Sequence, residues 1–197
     1  MAKRSSRLTL IIVGAVCVAA ACLFYFQPWQ PTASQENIEW EVTLTGSRGE
    51  QKSLSYQEIV AMPSREAQGG YFTTVGVVYG PYSVKGVLIE DICKLVGGIT
   101  PSDAVYVSAE DGYSMVFDYE QVNGDLDTYQ PGTMSVVPHE ELELLLIFEQ
   151  DGKPLTHADG KPLRLAVVGD ADLLTEGHWW VKWVERIEVV RLDGSAD

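Results

Sequence analysis

The chain has 197 residues, 28 of them acidic and 14 basic, for a formal net charge of −14. Lys3, Arg4 and Arg7 precede an apolar run, and every acidic residue follows position 35, so the remainder carries 11 basic residues against 28 acidic ones, a net −17. That balance excludes a nucleic-acid binder, which needs a basic face, and a domain lying flat on anionic lipid.

Residues 8–26, LTLIIVGAVCVAAACLFYF, form 19 uncharged and mostly apolar positions. A run of this length spans a bilayer as a helix. Residues 1–7 form its basic flank, which places the N-terminus in the cytoplasm and the rest of the chain outside. A cleaved signal peptide and a lipoprotein signal acylated at Cys22 are the alternatives. The apolar LFYF (23–26) that continues past those sites favours an uncleaved anchor. All three readings put the domain outside the cytoplasm. Residues 27–39 then read as a tether, 40–191 as one domain and 192–197 as an acidic tail.

Within the domain, WEVTL (40–44) reads as a strand. Ser55 and Glu58 have capping-box spacing for a short helix through Met62, with Pro63 after it. YFTTVGVVYG (71–80) is rich in β-branched and aromatic residues and predicts a strand. VLIEDICKLVGG (87–98) predicts an amphipathic helix with Leu88, Ile92, Leu95 and Val96 on one face and glycine at its end. AVYVSA (104–109) and YSMVFD (113–118) flank Asp111-Gly112, a hairpin signal. LELLLIFE (142–149) fits either a helix or a buried strand, and is taken as a strand paired with LRLAVV (163–168). The final run ends as a strand with Ile187 and Val189 on one face. No internal repeat stands out. The pattern predicts an α+β domain of short, mainly antiparallel strands with few helices.

The residues that could carry chemistry are few. Cys93 is the one cysteine beyond the apolar run, and its helical setting reads as core packing; no Cys/His spacing resembles a zinc site. Lys182, enclosed by Trp180, Val181 and Trp183, needs solvent, a carboxylate or a bound anion for its ammonium. Glu185, Asp170 and Asp172 are the candidate partners. His178 beside Trp179 is a candidate proton shuttle, whereas His139 and His157 stand in no ligand-like sequence spacing. Asp170, Asp172 and Glu176, like Asp125 and Asp127 after Asn123, supply oxygens without a complete calcium loop. The tryptophans read first as core. No Gly-rich phosphate loop, Ser/His/Asp order or nucleophile elbow is present.

Five phrases in order resemble the molybdopterin-binding domain of the sulfite-oxidase type: Val87-Leu88 with the following helix, AEDGYS (109–114), LLLIFEQDGKPL (144–155), GKPLRLAVVG (160–169) and VKWVERIEV (181–189). The resemblance covers roughly residues 40 to 190 and implies a molybdopterin-binding fold. It places Arg164 and Lys182 near the pterin cofactor, with the lysine on its phosphate. Asp151, before Gly-x-Pro-Leu, matches a position that often holds a pterin-contacting asparagine; an aspartate there accepts hydrogen bonds and donates none. The metal-ligating cysteine of the family falls at Thr74, whose hydroxyl is a poor ligand for a soft metal. Trp179 stands where the sulfite-oxidase form has an arginine. The resemblance therefore implies a domain that binds a small anion or a partner in the cofactor cleft, without a protein thiolate on molybdenum. An active molybdopterin-dependent oxidoreductase, passing electrons to a membrane or extracytoplasmic redox partner, and a structural module are the alternatives.

Overall fold

The computed structural model describes residues 38–139, 142–169 and 173–192. The apolar run, its flank, the tether to residue 37, Asp170, Asp172 and the tail beyond 192 lie outside the described residues. Among the described residues no helix is long and apolar enough to cross a membrane.

The elements in order are β1 (Glu41–Thr45), β2 (Gln51–Ser55), α1 (Tyr56–Val60), β3 (Arg65–Phe72), β4 (Val78–Leu88), α2 (Ile89–Cys93), β5 (Asp103–Ala109), β6 (Ser114–Asp118), α3 (Tyr119–Val122), β7 (Thr128–Tyr129), β8 (Val136–Val137), β9 (Glu143–Gln150), β10 (Lys153–Pro154), β11 (Arg164–Val168), β12 (Leu174–Glu176) and β13 (Val184–Arg191). Short 3-10 turns occupy Lys94–Val96, His157–Asp159 and Gly177–Trp179. Strands dominate and helices are short, as the sequence pattern implies for a mixed domain.

One sheet has the order β2-β1-β13-β5-β6. The other runs β10-β9-β4-β3-β12-β7-β8, with β11 also paired to β9. Among the described residues all strand pairings are antiparallel except β1–β13 and β3–β12. A bridge between Gln68 of β3 and Gly169, just after β11, closes the ring of pairings β3-β4-β9-β11. Alternate residues of those strands therefore face two cores. Leu144, Leu146, Phe148, Leu165 and Val167 join the large core beside the first sheet. Leu145, Ile147, Ala166 and Val168 join a smaller one with Val84, Tyr71 and Trp180. Burial on both faces is why the apolar run of β9 is continuous and not alternating.

Local chemistry sets the ends of the elements. The Ser55–Glu58 capping box is formed at α1. Gly97 ends the turn after α2 at φ 99°, where a side chain would be strained. Two sequence expectations change. YFTTVGVVYG is a hairpin and not one strand: β3 stops at Phe72, Thr73 O accepts Gly76 N at 2.8 Å, and β4 starts at Val78. Gly76, at φ 79°, makes that reversal possible. The expected helix over 87–98 loses its first turn, because Val87 and Leu88 pair with Leu146 and Leu145 as strand. Its buried face is Ile89, Ile92, Cys93 and Val96, while Leu95 is exposed.

Candidate functional site

The small core opens into a cleft of about 560 Å³ whose lining includes Tyr71, Tyr79, Tyr82, Arg164, Lys182 and Trp183. Arg164 is the first residue of β11 and lies on the face that carries Ala166 and Val168. Its guanidinium stacks over Tyr71 at 4.8 Å and over Trp180 at 4.9 Å. Trp180 is fixed in turn by its Nε1, which donates to Thr175 Oγ1 at 2.9 Å. Arg164 is 2% exposed, and its Nε has no acceptor. Among the described residues no carboxylate forms an ion pair with it. Two cation–π contacts give a guanidinium part of what water would supply, but they leave its N–H groups unmatched.

Lys182 is brought beside Arg164 by backbone pairing. Leu165 N donates to Val181 O at 2.8 Å, and Val184 N donates to Leu163 O at 3.1 Å. Between those bonds Trp183 adopts φ 51°, a conformation that a bulky residue takes only under tertiary constraint. Its backbone carbonyl accepts Glu110 N at 3.0 Å, which ties Trp183 to the β5–β6 hairpin and brings Asp111 and Tyr113 into the lining. The Lys182 ammonium donates to Ala158 O. Burial, and then the charge of Arg164, push the Lys182 pKa below its ordinary value, with Asp159 opposing. Trp183 Nε1 is a second buried donor without an acceptor. A guanidinium without a carboxylate partner among the described residues and a partly desolvated ammonium at one cleft make a site that favours an anionic acceptor.

The sequence-derived residues separate in space. Arg164 and Lys182 meet in the cleft. Asp151 does not line it: with Gly152 it forms the β9–β10 turn at φ 52° and 71°, and its Oδ1 accepts Ser83 N at 3.0 Å. Of the two aspartates that precede a Gly-x-Pro-Leu, the one that lines the cleft is Asp159. The motif DGKPL occurs twice, at 151–155 and 159–163, a short repeat that the sequence reading passed over. Thr74 is exposed at the tip of the β3–β4 hairpin, and its neighbour Thr73 lines the cleft. His178 is outside the lining, with Nδ1 at 3.2 Å from Glu176 Oε2 and its ring against Trp179 at 4.1 Å. Glu185, proposed as a partner of Lys182, is exposed and makes no ion pair with it. The tyrosines were missed as site residues. Tyr71 and Tyr79 stack at 5.0 Å and 15°, and in the sequence they look like ordinary strand aromatics.

The donor set of the cleft can be compared with what molybdenum takes. Among the lining residues oxygens come from Thr73, the tyrosines, Asp111 and Asp159, and none is a thiol. Cys93 is buried in the large core, where burial pushes its thiol up to about 12. It is held as an uncharged core group.

A model of the oxidoreductase molybdopterin-binding domain family matches residues 29–196. Among solved structures the chain is similar to the sulfane dehydrogenase SoxCD of Paracoccus pantotrophus, with a TM-score of 0.60 and 16% identity. That similarity covers 80% of this chain and 40% of the other, so the chain spans less than half of that protein's length. No curated protein matches the chain.

Proposed function

The chain belongs to the oxidoreductase molybdopterin-binding domain family, and on that premise we propose that its cleft binds a small anionic ligand through Arg164 and Lys182. One observation carries the reading: a guanidinium 2% exposed, held between Tyr71 and Trp180, without a carboxylate partner among the described residues and with an unmatched Nε. An unpaired buried cation is costly, and an anion in the cleft offsets that cost. The notion of a purely structural ion-pair role for Arg164 has no acid on which to rest among the described residues. No side chain in the lining supplies the sulfur ligand that soft metals prefer. We therefore propose that the chain itself gives molybdenum no thiolate.

A second reading has its own support. A cleft of about 560 Å³ with tyrosine and tryptophan walls is larger than an inorganic anion needs. It suits a flat heterocycle carrying a phosphate, and molybdopterin is the cofactor of the family. Arg164 and Lys182 would then hold the phosphate, and the tyrosines the ring system. When bound, such a group supplies two-electron redox chemistry at its metal. The work of this chain would be to bind the group, orient it and exclude water through the aromatic walls.

Sulfate titration by calorimetry, on the full chain and on Arg164→Met, tests the first reading. Wild-type binding that is lost in the variant supports it; equal binding by the two, or none by the wild type, overturns it. Molybdenum and pterin analysis of protein from a molybdate-fed, cofactor-competent host separates the two readings. Stoichiometric metal with extractable pterin makes the chain an oxidoreductase candidate, and the thiolate-free proposal would then need a non-sulfur ligand.

We also propose that residues 8–26 anchor the chain, with the domain outside the cytoplasm and facing a membrane or extracytoplasmic partner. The length of the run and its basic flank support this.

A further inference from the structure

The two copies of DGKPL have different surroundings. Gly152, in the first, has φ 71° and open space where a Cβ would stand. Gly160, in the second, has φ 100°, and a Cβ there would lie 2.8 Å from Lys182 Cβ and 3.0 Å from both Cα and Cγ. The stem of Lys182 thus lies across the bare face of Gly160. Two residues earlier, the Ala158 carbonyl accepts the ammonium. Between them Asp159 lines the cleft, with its carboxylate accepting the Thr156 hydroxyl.

We propose that the Thr156–Gly160 turn is the positioning device of the anion site, with Gly160 the residue that lets Lys182 lie across the turn and Ala158 O the acceptor that holds its ammonium beside Arg164. The inference rests on the anion-binding reading above. An ammonium has three donors; one is spent on Ala158 O and two remain for the ligand. The lowered pKa of Lys182, caused first by burial, fits a lysine covered by this turn. A Cβ at Gly160 has no room unless Lys182 moves, because the contacts are with its backbone and the start of its stem and not with a flexible end.

Gly152→Ala is the internal control, since it places the same side chain at a positive φ without touching Lys182. Gly152→Ala, Gly160→Ala, Lys182→Ala and the Gly160→Ala/Lys182→Ala double variant are made in the full chain and titrated with sulfate. Both glycine variants lower Tm. Only Gly160→Ala weakens sulfate binding, by about tenfold, the loss expected for one charge-assisted contact. The double variant binds no more weakly than Lys182→Ala alone. The alkaline limb of sulfate binding in Gly160→Ala shifts to higher pH, as the displaced ammonium returns to water. If Gly160→Ala does not fold, Gly160→Asn carries the same Cβ with less strain at positive φ and gives the same reading. Wild-type affinity and an unmoved pH profile in the Gly160 variant, with Lys182→Ala impaired, overturn the positioning role and leave the anion site standing. Wild-type affinity in both Lys182→Ala and Arg164→Met removes the anion site itself.

Discussion

At the scale of single residues the proposed anion site sets stability against binding. Arg164 is fully buried against two aromatic rings. Each ring contact contributes on the order of 1 kcal/mol, against several for the desolvation of the charge. Arg164→Met, which keeps much of the volume, is therefore expected to raise the stability of the ligand-free chain by about 1–2 kcal/mol while abolishing anion binding. Thermal melts with and without sulfate check both halves; a large drop in Tm would mean that the stacked guanidinium holds the small core together. Lys182 gives a pH signature. Its folded-state pKa is below the ordinary 10.5, so between those two values the unfolded chain binds a proton that the folded chain lacks, and the contribution of this group to stability rises with pH there. Anion binding favours the protonated form. Sulfate affinity is expected to fall as pH climbs through the lowered value, while Lys182→Arg binds beyond it. A profile unchanged by that substitution would assign the alkaline limb to another group. Arg164 and Lys182 were legible because they occupy fixed places in the PLRL and VKW phrases. Asp159 was not, because its motif has an identical twin at Asp151 and only the folded chain shows which twin meets the cleft.

Strands were legible where their two faces differ, or where a turn residue marks their end: β1, the β5–β6 hairpin and the close of β13 all stand where periodicity puts them. The hairpin within 71–80 was hidden because Gly76 interrupts a run whose β-branched and aromatic residues continue on both sides of it. That turn changes the metal-ligand question. Thr73, at the end of β3, lines the cleft, whereas Thr74 is exposed at the tip. In Thr73→Cys the modification rate by a thiol reagent should change when sulfate or pterin is added, and in Thr74→Cys it should not. The opposite result would move the cleft wall by one residue. At the other end of β4, Gly86 crosses β9 so closely that a Cβ would lie 2.5 Å from Leu146 O and 2.7 Å from Ile147 Cα. Those neighbours are backbone atoms and cannot rotate away. Gly86→Ala is expected to cost about 1–3 kcal/mol, the range of an overpacked core, seen as a lower urea midpoint. A wild-type midpoint would show that the two strands separate more easily than their pairing suggests.

For the whole molecule, the acidic composition beyond residue 35 and the basic flank of the apolar run are what support the proposed outward-facing anchor. The full chain is expected to stay in the membrane fraction through alkaline extraction, to retain its N-terminal residues by intact mass, and to be cut by protease added outside spheroplasts. Release by alkali, or a mature chain beginning near Cys22, would replace the anchor with one of the processed forms. The topology of the first sheet has a consequence for biosynthesis. Its central strand, β13, pairs with β1 on one side and β5 on the other, yet among the described residues it comes last in sequence. Losing it removes the middle of the sheet and not an edge, and the loop-closure entropy between residues 41 and 191 must be met before those pairings form. A chain under synthesis therefore cannot complete this sheet until the residues of β13 are available. Because Lys182 and Trp183 immediately precede that strand and line the cleft, the event that completes the sheet also completes the lining of the proposed anion site.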